Sequence, residues 1–263
     1  NQNYTITSHL NNKNKDYNFF NLGMGGNGPL INYAILKEYG AILKPKKIFF
    51  FFFEGNDYTD LERELRSIIL SKYLEIKFTQ NLMKNNQEID IAKKNYYNKY
   101  FSSYKPKNLI GEIIRLKNLR HILSLLKKKF KTDEIKINKS KEQNNRISKN
   151  NKIINEKKIS NEELYIILSN SKKIVESWGG ELIVFILPDY GFFYEKKSGK
   201  NIKRQKYTEI FEILKKINID FVDFYKYLED NENVISYFPL ELPGHYNESG
   251  YEFIAEVINK NLK

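Results

Sequence analysis

The stretch Lys47-Ile48-Phe49-Phe50-Phe51-Phe52-Phe53-Glu54-Gly55-Asn56-Asp57 decides how the chain is read. Its first part is a short apolar run, aromatic on both alternating faces, that stops abruptly at Glu-Gly-Asn-Asp. A run of this kind fits a strand covered on both sides, as in a parallel sheet, and is far too short to cross a bilayer. In such sheets ligands bind at the carboxyl ends of the strands, which puts Glu54 to Asp57 at a candidate site.

Outward from this run, residues 17–22, 181–187 and 219–224 read as further buried strands, each rich in Phe, Ile or Val and closed by a turn or polar cluster. Helical spacing fills the intervals. Pro29 suits a first helical position, followed by Leu30, Ile31, Tyr33, Ala34 and Ile35, with Gly40 near the stop. Leu164, Ile167, Leu168, Ser171 and Val175 mark another helix that ends at Gly179-Gly180. A third covers residues 203–217. The last takes Asn247 or Ser249 as its cap and buries Tyr251, Ile254, Val257 and Ile258. Strands alternating with helices predict an α/β domain, a parallel sheet with helices on both faces.

Residues 71–158 break this alternation and carry no convincing strand. They read as a helical insertion between the two parts of the domain, residues 1–70 and 159–263. Within it, residues 110–130 form a strong amphipathic pattern, and residues 131–158 are Lys/Asn/Ile-rich, of low complexity, and read as mobile. The run Lys127-Lys128-Lys129 reads as a solvated face.

Composition removes several classes of function. There is no Cys, which excludes disulfides, thiolate nucleophiles and Cys-ligated metals. Only three His are present (His9, His121, His245), which argues against a multi-His metal site. The net charge of +12 raises nucleic acid as a partner. However, the lysines are spread along the whole chain and interleaved with Glu and Asn, and no nucleic-acid-binding motif is recognisable, so no nucleic-acid partner is expected. Such a partner would show a steep salt dependence of binding.

Three motifs carry chemistry. The first, Asn21-Leu22-Gly23-Met24-Gly25-Gly26-Asn27-Gly28-Pro29, lies between an expected strand and a helix. Its glycines permit a tight turn that presents bare N–H groups at a helix N-terminus, suited to an anion or an oxyanion. Gly23, Gly25 and Gly28 also meet the G-x-G-x-x-G spacing. A dinucleotide fold, however, needs its third glycine inside the helix, whereas Pro29 begins the helix after it. A plain Gly-rich turn is the simpler alternative. The second motif is Glu54-Gly55-Asn56-Asp57. An Asn amide there can point at developing negative charge, although Asn-Asp after a strand is also a favoured turn. The third is Pro243-Gly244-His245-Tyr246-Asn247-Glu248-Ser249-Gly250, a loop that sets His245 ahead of the last helix, a natural place for a general base.

Taken in order, these motifs resemble the conserved blocks of the SGNH/GDSL hydrolases. Residues 21–28 look like the family's second block, Glu54-Gly55-Asn56-Asp57 like its third, and residues 244–251 like its His block; the strand at 182–187 followed by Pro188 also fits. The resemblance covers most of the chain outside 71–158. It implies a three-layer α/β/α, flavodoxin-like fold. The Gly26 N–H and the Asn56 side chain would be oxyanion-hole donors and His245 the general base towards a serine. It also implies acyl-ester chemistry without metal or cofactor, on a small-molecule or carbohydrate ester such as an O-acetylated sugar. Transfer of the acyl group to a surface glycan would use the same residues. A non-catalytic carbohydrate-binding module is the alternative from another class.

The chain departs from the family in two ways. The Gly-Asp-Ser block that supplies the nucleophile, and the central first strand that carries it, do not occur in these 263 residues. The serine is therefore expected upstream of Asn1. The sheet is expected to have an open slot between residues 17–22 and 47–53, and the chain alone to be inactive. Family members of this size often act in the bacterial envelope behind an N-terminal anchor, so a membrane anchor upstream and an envelope or periplasmic location are implied. The family's acid, an Asp two or three residues before the His, is also absent. Leu242 and Pro243 stand there, and Glu241 is the nearest carboxylate. Either Glu241 substitutes, or a Ser–His dyad works with a backbone carbonyl orienting the imidazole.

Overall fold

The aromatic run forms strand β1, Lys47–Phe53, as its composition predicts. The computed structural model describes residues 2–101, 146–197 and 208–262. β1 pairs in parallel with β2, Glu181–Leu187, in a register that runs from Lys47 opposite Glu181 to Phe53 opposite Leu187. A salt bridge between the side chains of Lys47 and Glu181 pins the start of that register. β2 in turn pairs in parallel with β3, Asp220–Asp223. The result is an α/β domain around a three-stranded parallel sheet in the order β1-β2-β3. β2 lies in the middle, so Val184, Phe185 and Ile186 are almost fully buried.

Two ranges form compact units, residues 1–80 with 155–263, and residues 81–154. In the second, α-helix spans Asn86–Phe101. The helix Arg146–Glu176 starts in this range and gives regular backbone to residues 146–158, part of the stretch read as mobile. The amphipathic pattern at 110–130 and the rest of the low-complexity stretch lie outside the described residues. The same is true of the first part of the helix expected at 203–217, which is seen over Thr208–Ile217.

In the first unit, helices cover both faces of the sheet because strand side chains alternate. We number those used below α1 (Ile6–Lys13), α2 (Pro29–Ile35), α3 (Asp57–Leu65), α4 (Tyr190–Lys197) and α5 (Glu248–Asn261). On one face Phe50, Phe52, Leu182, Val184 and Ile186 pack with Leu30 and Tyr33 of α2, Leu61 of α3, and Leu164, Ile167, Leu168 and Val175. On the other, Phe185 and Leu187 pack with Leu10 of α1, Phe193 of α4 and Ile254, Ala255, Val257 and Ile258 of α5. Asn247, one of the two caps the sequence offers for α5, accepts the Gly250 N–H at 3.0 Å. The helix that opens at Pro29 does not stop at Gly40. It passes through a π turn, Leu36–Gly40, to Leu43 and ends where Lys44 turns left-handed.

One expected strand is absent. Residues 17–22 form no ladder. The Asn11 side chain instead occupies both backbone groups of Phe19, donating to its carbonyl at 3.0 Å and accepting its N–H at 2.8 Å. Phe19 meets β1 by its ring, 6.1 Å from that of Phe49. With both backbone groups of Phe19 taken by Asn11, that residue has neither donor nor acceptor left for a ladder with β1. Among the described residues β1 therefore carries a ladder on one edge only.

Candidate functional site

The site is built at the carboxyl end of β1. The Glu54 N–H continues the ladder onto the Leu187 carbonyl at 2.9 Å, and the chain then turns through Gly55 and Asn56 into α3. A side chain at position 55 would collide with the ring of Phe53, 2.4 Å from the Cβ position, which explains the glycine. Asp57 folds back so that its Oδ2 accepts the Phe53 N–H at 3.0 Å. Burial pushes the Asp57 carboxyl up to about 8; the hydrogen bond from Phe53 opposes the shift, and Asp60 and Glu64 add to it. The Asn56 amide turns inward, its Nδ2 donating to Asp60 Oδ2 at 2.8 Å.

The Gly-rich turn is docked on the same helix. Gly28 lies so close to α3 that a Cβ would sit 2.7 Å from Asp60 Cβ and 2.9 Å from the Glu64 carboxyl. Glu64 accepts from the N–H groups of Gly28 at 2.5 Å and Leu30 at 2.9 Å, with Ile31 at 3.4 Å. The N-terminus of α2, which the sequence offered to an anion, is thus capped by a carboxylate of the chain itself. Burial raises the Glu64 carboxyl above the usual range, and these three N–H donors oppose the rise. Gly26 stays exposed in the turn with φ at +86°, and its carbonyl accepts from the Arg63 guanidinium at 3.3 Å. The sequence reading missed Asp60, Arg63 and Glu64. Asp57, Asp60 and Glu64 fall on one face of α3, and three acids on a face next to a Gly-rich turn are the signal that marks them.

His245 arrives from the far end of the chain. Its ring lies 4.7 Å from that of Phe53, centroid to centroid, three residues before Asn56. Two tyrosines fasten its loop. The buried Tyr246 donates its hydroxyl to the Pro188 carbonyl at 2.7 Å, and Tyr190 donates to the Glu241 carbonyl at 2.9 Å. Leu240 and Glu241 both take left-handed backbone, φ 55° and 52°, with Leu240 largely exposed. Two consecutive non-glycine residues of that kind are strained and are held only by surrounding contacts.

The structure thus gathers His245, Phe53 and the Asn56 segment at one strand end, and ties Gly26 to α3. It does not give His245 a hydrogen-bond partner among the described residues. Glu241 is exposed, and it contributes its backbone carbonyl to Tyr190 rather than a carboxylate to the imidazole. Tyr190, Phe192 and Phe193, which the sequence placed either in a cleft or in packing, are buried among Phe238 and Tyr225, while Tyr194 is half exposed. Among the described residues no group of three or more His, Cys, Asp or Glu is arranged to hold a metal ion, and no helix is long and apolar enough to cross a membrane. No family model, curated protein or solved structure matches this chain.

Proposed function

We propose that this fold serves acyl-ester hydrolysis of the SGNH type. In this reading a serine hydroxyl attacks the ester carbonyl while His245 takes its proton. The Gly26 N–H and the Asn56 amide hold the oxyanion, and His245 returns the proton to the leaving alkoxide as the C–O bond breaks. Water then repeats the sequence on the acyl-serine and releases the acid. The 263 residues contain no Gly-Asp-Ser, so the reading requires that block from outside this sequence.

The observation that carries it is the seating of His245 on Phe53, 4.7 Å ring to ring, beside the segment that bears Asn56. Residues 192 apart in sequence (245 − 53) converge there, at the end of a parallel strand where such sheets bind ligands. Helices on both faces of the sheet, and an edge of β1 that carries no ladder among the described residues, support the reading of a three-layer fold of that family lacking one central strand.

A second reading has its own support. His245 has no carboxylate partner among the described residues, which favours a non-catalytic carbohydrate-binding module that kept this fold. The coding sequence ahead of Asn1 separates the two. A strand followed by Gly-Asp-Ser there supports the hydrolase, and the protein carrying it should hydrolyse p-nitrophenyl acetate in a manner lost in His245→Ala. A block without serine sinks the hydrolase and leaves the binding module. Product analysis with an added glycan acceptor distinguishes transfer from hydrolysis.

A further inference from the structure

Gly26 and Asn56 sit on different segments, yet both lead to one side chain. Asp60 is 4% exposed. Its Oδ2 accepts from Asn56 Nδ2 at 2.8 Å, and its Oδ1 pairs with the Arg63 guanidinium at 2.9 Å. Arg63 in turn donates to the carbonyl of Gly26 at 3.3 Å. The Asn56 Oδ1 is buried with no hydrogen-bond partner, so its oxygen does not hold the amide in place. A carboxylate only accepts hydrogen bonds and would repel Oδ1, so Asp60 dictates which end of the amide faces it. One Nδ2 hydrogen is used in this way and the second remains to donate. On the other arm, Arg63 fastens the carbonyl of a left-handed glycine that no side chain restrains.

We propose that Asp60 is the positioning residue of the oxyanion site, orienting Asn56 directly and Gly26 through Arg63. This rests on the reading of Gly26 and Asn56 as oxyanion donors; the linkage itself needs neither serine nor substrate. A buried carboxylate that holds one donor directly and the other through Arg63 sets their geometry before any ester arrives, which is the preorganisation such a site depends on.

The 15N-labelled chain tests the linkage directly. In 1H–15N spectra the Gly26 backbone amide and the Asn56 side-chain amide are followed, the latter identified by its loss in Asn56→Asp. Arg63→Met, at a side chain 62% exposed, is expected to shift Gly26 and leave Asn56 in place in a folded protein. Asp60→Asn is expected to shift both. An unmoved Gly26 in Arg63→Met, or an unmoved Asn56 in a folded Asp60→Asn, overturns the proposal. In a serine-bearing protein that turns over p-nitrophenyl acetate, each variant should lower kcat per folded molecule, with the folded fraction measured by circular dichroism, by about tenfold or more at unchanged KM. An unchanged kcat overturns the positioning role. Turnover that survives His245→Ala would instead refute the hydrolase reading while the spectral linkage stood, so the two failures are distinguishable.

Discussion

The imidazole of His245 lies against the ring of Phe53, with centroids 4.7 Å apart and planes tilted by 42°. Phe53 is the last residue of β1, and its own backbone N–H is held by Asp57 on the next helix. The aromatic platform under the histidine is therefore fixed by the same turn that aims Asn56. The strained Leu240–Glu241 backbone and the two tyrosine hydroxyls hold the loop from the other side.

His245 is exposed and makes no hydrogen bond among the described residues, so it contributes little to folding. His245→Ala should change unfolding stability by less than about 0.5 kcal/mol. Phe53→Ala removes a partly buried ring and should cost about 1–3 kcal/mol, less than the loss of a fully buried one. Urea unfolding of both variants checks this. An equal cost in the two would mean that the histidine is a structural residue.

Gly28 has no room for a side chain, because a Cβ there would lie 2.7 Å from Asp60 Cβ. Gly28→Ala should lose about 1–3 kcal/mol through forced separation of the turn from α3. Gly25→Ala meets nothing within 4 Å and should be close to neutral. Gly26→Ala meets open space too, but its φ of +86° should cost about 1–2 kcal/mol. Thermal unfolding of the three variants should rank them in that order of spacing and strain, Gly28 worst and Gly25 mildest.

Asp57 makes stability depend on pH. Its carboxyl titrates at about 8 in the fold and near the ordinary value of 3.8 when unfolded. Between the two the folded state keeps a proton that the unfolded state has lost. The contribution is therefore complete below the lower value and is lost as the pH rises through the upper one. Asp57→Asn keeps an acceptor for the Phe53 N–H and removes the titration, so its stability should fall less than that of the parent between about pH 5 and about pH 9. Parallel pH profiles from denaturant titrations would refute this.

Tyr246→Phe leaves the Pro188 carbonyl without its donor at a buried position and should cost about 1–3 kcal/mol. The loop around His245 should also exchange its amide hydrogens faster, beginning with Asn247, whose N–H donates to the Tyr237 carbonyl at 2.8 Å. Hydrogen exchange followed by mass spectrometry reads both effects. An unaltered loop would place its restraint in Tyr190 and the local backbone instead.

Local chemistry made much of this protein legible from its residues alone. The bounds of β1 and β2, Pro29 at a helix start, the Asn247 cap, and the buried stripes of Leu164 to Val175 and Ile254 to Ile258 follow from hydrophobic period and capping preference. What the sequence did not disclose depended on partners distant in the chain. Residues 17–22 have strand-like composition, but a strand exists only where a neighbour offers its backbone, and there the Asn11 amide takes both groups of Phe19. The helix N-terminus after the Gly-rich turn is a generic anion site until Glu64, 36 residues beyond Gly28, folds onto it. Glu241 is close to His245 in sequence, yet two left-handed residues turn that part of the loop so that it offers a carbonyl to Tyr190. Periodicity reports which face of an element is buried, whereas which donor meets which acceptor is decided only when distant segments pack together.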